Sequence, residues 1–161
     1  MKSFDFLHKL QAEGKLELIE SSKPVSLSYE KKSRDCLLAA RLLFNGSLYE
    51  NSIGEAYYSM YNILQSLFFQ CGIKCENHSA AALLLKHVFY NTKIYGSFSW
   101  AKGERIDKQY YTPPLQRKPV TKASAQLLMS TAEDFILHVN AYKSKLTLED
   151  IKIIRTRFIK L

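Results

Sequence analysis

Cysteine is scarce: only Cys36, Cys71 and Cys75 occur among 161 residues. An odd, low count excludes a disulfide-stapled scaffold and is expected of reduced thiols in a cytoplasm. Glycine and proline are also few, at six and four, which excludes collagen-like and linker-rich chains. No stretch approaches about 18 uninterrupted apolar residues, so no membrane span is expected. The first twenty residues carry Asp5, Glu13, Glu17 and Glu20 and no apolar core of a secretory leader, so a cytoplasmic location is expected. Hydrolase signatures are missing too: there is no G-x-S-x-G, no H-E-x-x-H and no phosphate-binding P-loop.

Apolar residues supply 47% of the chain, enough for a proper core and too many for global disorder. The length suits one domain, divided here into an N-terminal helix and turn (1–24) and a helical bundle (25–161). The net charge is +8 and unevenly spread. Residues 1–100 hold 11 basic and 9 acidic side chains, whereas residues 101–161 hold 12 basic and 6 acidic. A phosphate-binding surface in the C-terminal part and a merely solvated basic surface are equally consistent with that excess.

The hydrophobic periodicity is helical almost throughout. Phe4, Leu7 and Leu10 give a short first helix ending at Gly14. A long helix from about Leu27 to Phe44 puts Cys36, Leu37, Ala40, Leu43 and Phe44 on one face. A second, from about Glu50 to Cys71, carries Ile53, Ala56, Tyr57, Met60, Tyr61, Leu64, Leu67 and Phe68 at helical spacing. Opposite them runs a thin polar stripe of Glu55, Ser59, Asn62 and Ser66. A helix this apolar is expected at the centre of its bundle or against another subunit. Asn77 reads as the N-cap of a third helix reaching about Tyr90. From Asn91 to Val120 the pattern weakens around Gly96, Gly103 and Pro113-Pro114, and predicts a long loop with a helical turn or two near Glu104–Tyr110. Thr121 opens a fourth long helix to about Tyr142, and Thr147 with Asp150 forms a capping box for the last. No strand signal competes, so the expectation is an all-α up-and-down bundle.

Three segments could carry chemistry. Cys71, Cys75 and His78 loosely resemble a zinc spacing completed by Cys36 or His87, but a helix end and a polar turn are poor knuckles, and ordinary thiols are expected. Tyr57 and Tyr61 lie in the apolar stripe and read as core. Around residues 102–111, Lys102, Arg105 and Lys108 offer cations for phosphate, and Tyr110 and Tyr111 offer rings for stacking. For Arg105, a ligand role and an ion pair with Glu55 stand level.

The Ala56-Tyr57-Tyr58-Ser59-Met60-Tyr61 run, the Asn77-His78 pair and the Arg105…Gln109-Tyr110-Tyr111 segment together resemble the HEPN domain family. More narrowly, the chain is similar to small single-domain HEPN proteins of archaea and bacteria over about residues 25–142, and Gly14-Lys15-Leu16-Glu17 looks like the leader of archaeal members. The resemblance implies an antiparallel four- to five-helix bundle, a homodimer, and a minimal nucleotidyltransferase as partner in a toxin–antitoxin pair. Active members are metal-independent ribonucleases, so no metal or other cofactor is implied. Their motif is an Arg followed after four to six residues by a His, the Arg holding the scissile phosphate and the His assisting 2′-hydroxyl attack.

This chain departs from that motif. Its histidines are His8, His78, His87 and His138, and none stands five to seven positions after an arginine. Tyr110 or Tyr111 occupies the place of the His, and a phenol with pKa near about 10 is a poor base at neutral pH. The expectation is therefore a non-catalytic module that binds nucleotide, RNA or a protein partner through Arg105, Lys102, Lys108, Tyr110, Tyr111, Glu55 and His78. In the family the partner enzyme can adenylylate a tyrosine near this motif, which makes Tyr110 and Tyr111 candidate acceptors. Two alternatives remain: an endoribonuclease toxin using Arg105 with His78 or Tyr110 as a displaced base, and a structural dimeric assembly subunit.

Overall fold

A computed structural model describes residues 2–109 and 119–161, with residues 107–109 as backbone only. The described residues form α1 (Lys2–Ala12), β1 (Leu16–Leu18), α2 (Lys23–Asn45), α3 (Tyr49–Gln70), β2 (Ile73–Cys75), α4 (His78–His87), α5 (Thr92–Gln109), α6 (Lys122–Lys145) and α7 (Leu148–Ile159). The chain is all-α but for one small ribbon. No described helix is long and apolar enough to cross a membrane.

Helix α3 is the axis of the fold, packed by α2, α5 and α6. Its seam with α2 is made of small residues seven apart. Ser26 Oγ donates to Ser66 O, Ser33 Oγ to Ser59 O, and Ser52 Oγ to Ala40 O, at 2.8 to 2.9 Å. The partners step forward on α2 as they step back on α3, so the two helices run antiparallel. Serine here removes bulk, lets the backbones approach, and satisfies its own hydroxyl on the facing carbonyl. The polar stripe of α3 is thus mostly a buried contact: Ser59, Asn62 and Ser66 are buried against α2, and only Glu55 keeps partial exposure.

Cations secure the remaining helices. The buried Lys143 ammonium of α6 donates to Ser26, Ser66 and the Glu30 carboxylate, fastening α6 to α2 and α3. Arg155 of α7 donates to the carbonyls of Ile19, Cys71 and Gly72 at 2.8 to 3.1 Å. Arg157 lies 4.3 Å over the Tyr90 ring, so the last helix packs on its own bundle. Three cations of the basic C-terminal part are therefore structural. Gly72, at φ 71°, lets the chain turn from α3 into β2 beneath Arg155.

Two sequence expectations fail. First, strands exist: Leu16–Leu18 pairs antiparallel with Ile73–Cys75, Leu16 opposite Cys75 and Leu18 opposite Ile73. Three-residue strands are too short for an alternation to register. Second, most of the expected loop after Asn91 is helix. Asn91 Oδ1 accepts from Ile94 N at 3.1 Å and caps α5, whose buried stripe is Ile94, Phe98, Ala101 and Arg105. Gly96 and Gly103 meet nothing within 4 Å of a built Cβ, so they weaken the helix without marking a turn.

The predicted caps are present. Asn77 Oδ1 accepts from the Ser79 and Ala80 amides, Thr121 and Ser124 bond reciprocally, and Thr147 and Asp150 do likewise. Each satisfies amides that the first helical turn leaves open.

Candidate functional site

The site is built where α5 crosses α3 beside the start of α4. Arg105 closes the apolar stripe of α5 and is only 8% exposed. Its guanidinium lies 5.0 Å from the Tyr57 ring centroid and 4.7 Å from that of Tyr58, and Nη2 donates to Tyr58 Oη at 2.9 Å. A cation stacked on two phenol rings is held firmly away from bulk water. Among the described residues no ion pair joins it to Glu55, which instead lies beside the Cys36 thiol of α2. Glu55 reaches across to α2, while the rings of Tyr57 and Tyr58 receive the guanidinium from α5.

His78 is the first residue of α4. Its Nδ1 shares a hydrogen bond of 2.8 Å with Tyr57 Oη, and its ring stacks on Tyr61 at 3.9 Å. Burial, reinforced by the Arg105 and Lys102 charges, pulls the imidazole down to about 4, so it is neutral at pH 7. In a neutral ring this bond is made by the Tyr57 hydroxyl to a bare Nδ1 or by Nδ1–H to the Tyr57 oxygen, according to the tautomer. Tyr57 therefore touches both His78, through its hydroxyl, and Arg105, through its ring. The two residues named from sequence as potential partners come together on one tyrosine pair.

Lys102 lies one helical turn before Arg105. Its Nζ donates to Ser79 Oγ at 2.5 Å, and no carboxylate among the described residues pairs with it. Burial lowers its pKa. Ser79 stands in the first turn of α4, at the positive end of the helix dipole, with its own amide capped by Asn77. Two side-chain cations and a helix N-terminus thus share one small region.

Tyr57 is fully buried, as its spacing predicts, and Tyr61 is half-buried, with burial raising its phenol well above the usual range. Tyr110 and Tyr111 lie outside the described residues, as does the side chain of Lys108. Cys71 and Cys75 are buried free thiols pushed up to about 12, and the half-buried Cys36 goes up to about 11, in each case mainly by burial. All three are protonated at neutral pH and poor nucleophiles. Cys75 Sγ donates to Asn77 O at 3.4 Å, and no group of three or more His, Cys, Asp or Glu among the described residues is arranged to hold a metal.

No protein-family model matches this chain. No curated protein matches it either. The site must therefore be read from its own chemistry. Sequence reasoning singled out Arg105, Lys102 and His78 but passed over Tyr58 and Ser79, the residues that hold the two cations. Both stood close at hand: Tyr58 adjoins Tyr57, and Ser79 follows the Asn77-His78 pair.

Proposed function

We propose that the chain is a non-catalytic binding module of the HEPN type, an antiparallel helical bundle that takes the phosphate of a nucleotide or RNA at Lys102 and Arg105. The observation that carries this reading is a cation that no carboxylate among the described residues pairs with: Lys102 sits at the α4 N-terminus, beside the buried Arg105. A positive side chain is unfavourable at a helix N-terminus, where an anion is stabilised. An incoming phosphate would neutralise the Lys102 ammonium there. On the same reading the module works as a homodimer beside a minimal nucleotidyltransferase, with Tyr110 and Tyr111 as modification acceptors.

The ribonuclease reading gains one observation, the shared tyrosine pair between His78 and Arg105. The same cluster argues against it. A general base works best with a pKa near the operating pH, and His78 is held near 4. Its Nδ1 is also already committed to Tyr57.

A binding and cleavage assay in EDTA separates the two. Wild type should retain labelled single-stranded RNA without cutting it, and Lys102→Ala should weaken retention about tenfold, the loss of one charge-assisted contact. Cleavage by wild type that Arg105→Lys abolishes would establish the nuclease instead. Wild type that neither binds nor cuts would remove both.

A further inference from the structure

On the other side of His78 lies the largest groove among those described, about 590 Å³. Its floor is one face of α3, presenting Tyr61, Gln65 and Phe69 at four-residue spacing. Tyr29 of α2 walls one side, stacked on Phe69 at 5.4 Å and an interplanar angle of 15°. His78, stacked on Tyr61, walls the other, and Lys74 and Glu76 stand at the mouth.

The groove combines flat aromatic walls with one side-chain amide. Gln65 is 3% exposed, and its Nε2 is spent on Cys75 O at 2.9 Å. Among the described residues nothing donates to its Oε1. Gln65 lines the groove, so this oxygen is open to an N–H of a ligand lying there. Lys74 is already held by Glu17, Glu76 and Gly14 O, so the mouth is close to neutral. Such a groove suits a planar, polar heteroaromatic ring rather than a second charged group.

What the ring is attached to follows from the adjacent residue. His78 lines the groove, and Ser79, next in the chain, takes the Lys102 ammonium. His78 and Ser79 are neighbours at the start of α4, so the aromatic groove adjoins the cationic corner.

We infer that the Tyr29–His78 groove is a nucleobase subsite, holding a base whose attached phosphate lies at Lys102 and Arg105. The inference rests on the phosphate-binding reading above and deepens it. The acceptor Gln65 Oε1 selects a base with an exocyclic amine, such as adenine. The base can come from a free nucleotide or from one unstacked residue of a single strand.

The test is titration calorimetry of the full chain with adenosine monophosphate, ribose phosphate and a short oligoadenylate. Base-bearing probes should bind at least about tenfold more tightly than ribose phosphate, the usual scale of one aromatic stack. Tyr29→Leu keeps apolar bulk but loses the ring, and should erase that advantage while leaving ribose phosphate binding unchanged. Should Tyr29→Leu fail to fold by circular dichroism, Gln65→Met is to weaken the adenine probes alone. Binding of the monophosphate identifies a free nucleotide as ligand. Binding of the oligonucleotide alone, with the same sensitivity to Tyr29, identifies a strand. Ribose phosphate binding as well as the base-bearing probes would overturn the subsite and leave the phosphate reading standing. Failure of all three probes would overturn both.

Discussion

Acidification should loosen this fold through His78. In the folded chain the imidazole is held down at about 4 from an ordinary 6.5, first by burial and then by Arg105 and Lys102. Between those values the unfolded chain takes up a proton that the folded chain refuses. The unfolded state then binds more protons, so stability falls as pH falls. The contribution is complete above 6.5 and lost below about 4. Each pH unit is worth about 1.4 kcal/mol, so the full gap approaches about 3 kcal/mol. The ring is only half-buried, and the solvent it still touches reduces the effect to about 2 kcal/mol. Protonation would also make Nδ1 a donor toward the Tyr57 oxygen whichever tautomer the neutral ring adopts. The assay is urea unfolding of wild type and His78→Gln from about pH 7.5 to about pH 4. Glu13 and Asp150, whose carboxyls are lowered by Lys15 and Thr147, contribute equally to both proteins and cancel in the difference. Wild type should lose about 2 kcal/mol more than the variant over this range. Parallel stability curves would mean that His78 titrates normally, and the electrostatic account of the site would be wrong.

Other perturbations test the packing. Ser33→Leu forces a branched side chain into the fully buried α2–α3 seam and should cost about 1–3 kcal/mol of unfolding free energy; an unchanged urea midpoint would show that the helices do not approach there as closely as the serine bonds require. Gly72→Ala meets the Arg155 guanidinium and comes within 2.6 Å of Ile19 O at a positive φ, so thermal melting should drop by an amount equivalent to about 3 kcal/mol or more, and Arg155→Ala should relieve part of that loss in the double variant. Gly96→Ala should do the reverse: the position is exposed and mid-helix, the new methyl meets nothing, and stability should rise by about 0.5–1 kcal/mol, whereas destabilisation would contradict the α5 helix.

How far the fold could be read in advance depended on the length of each signal. Helices α2, α3 and α6 run over 22 to 24 residues, long enough for periodicity to dominate, and their expected limits fall within a few residues of the observed ones. Helix α5 was lost because its stripe is thin. Four buried positions, one of them an arginine, are spread over a segment interrupted by two glycines. Composition argued for loop, and only the tertiary contact with α3 overrides it. The strands were invisible for the opposite reason. At three residues each they are fixed by pairing across the N-terminal turn and the end of α3, a contact between residues almost sixty positions apart.

The site was legible as a set of residue types and illegible as a geometry. Arginine among aromatics suggested a phosphate ligand or an ion pair with Glu55, and the phase of α3 decides against that pair. Glu55 falls on the α2 side beside Cys36, whereas Tyr57 and Tyr58 fall on the α5 side and receive the guanidinium. Burying that cation on two rings has a consequence for function. Arg105 is only 8% exposed, so on the proposed reading a phosphate meets Lys102 first, as its ammonium leaves Ser79, and Arg105 after it. Arg105 then serves by holding Tyr57 and Tyr58 in place and by keeping His78 neutral. A neutral His78 preserves both the Tyr57 hydrogen bond and the aromatic stack on Tyr61. Burial and the positive field of Arg105 and Lys102 together keep the adjoining imidazole uncharged, so on the proposed reading one face meets an anion and the next a stacked base.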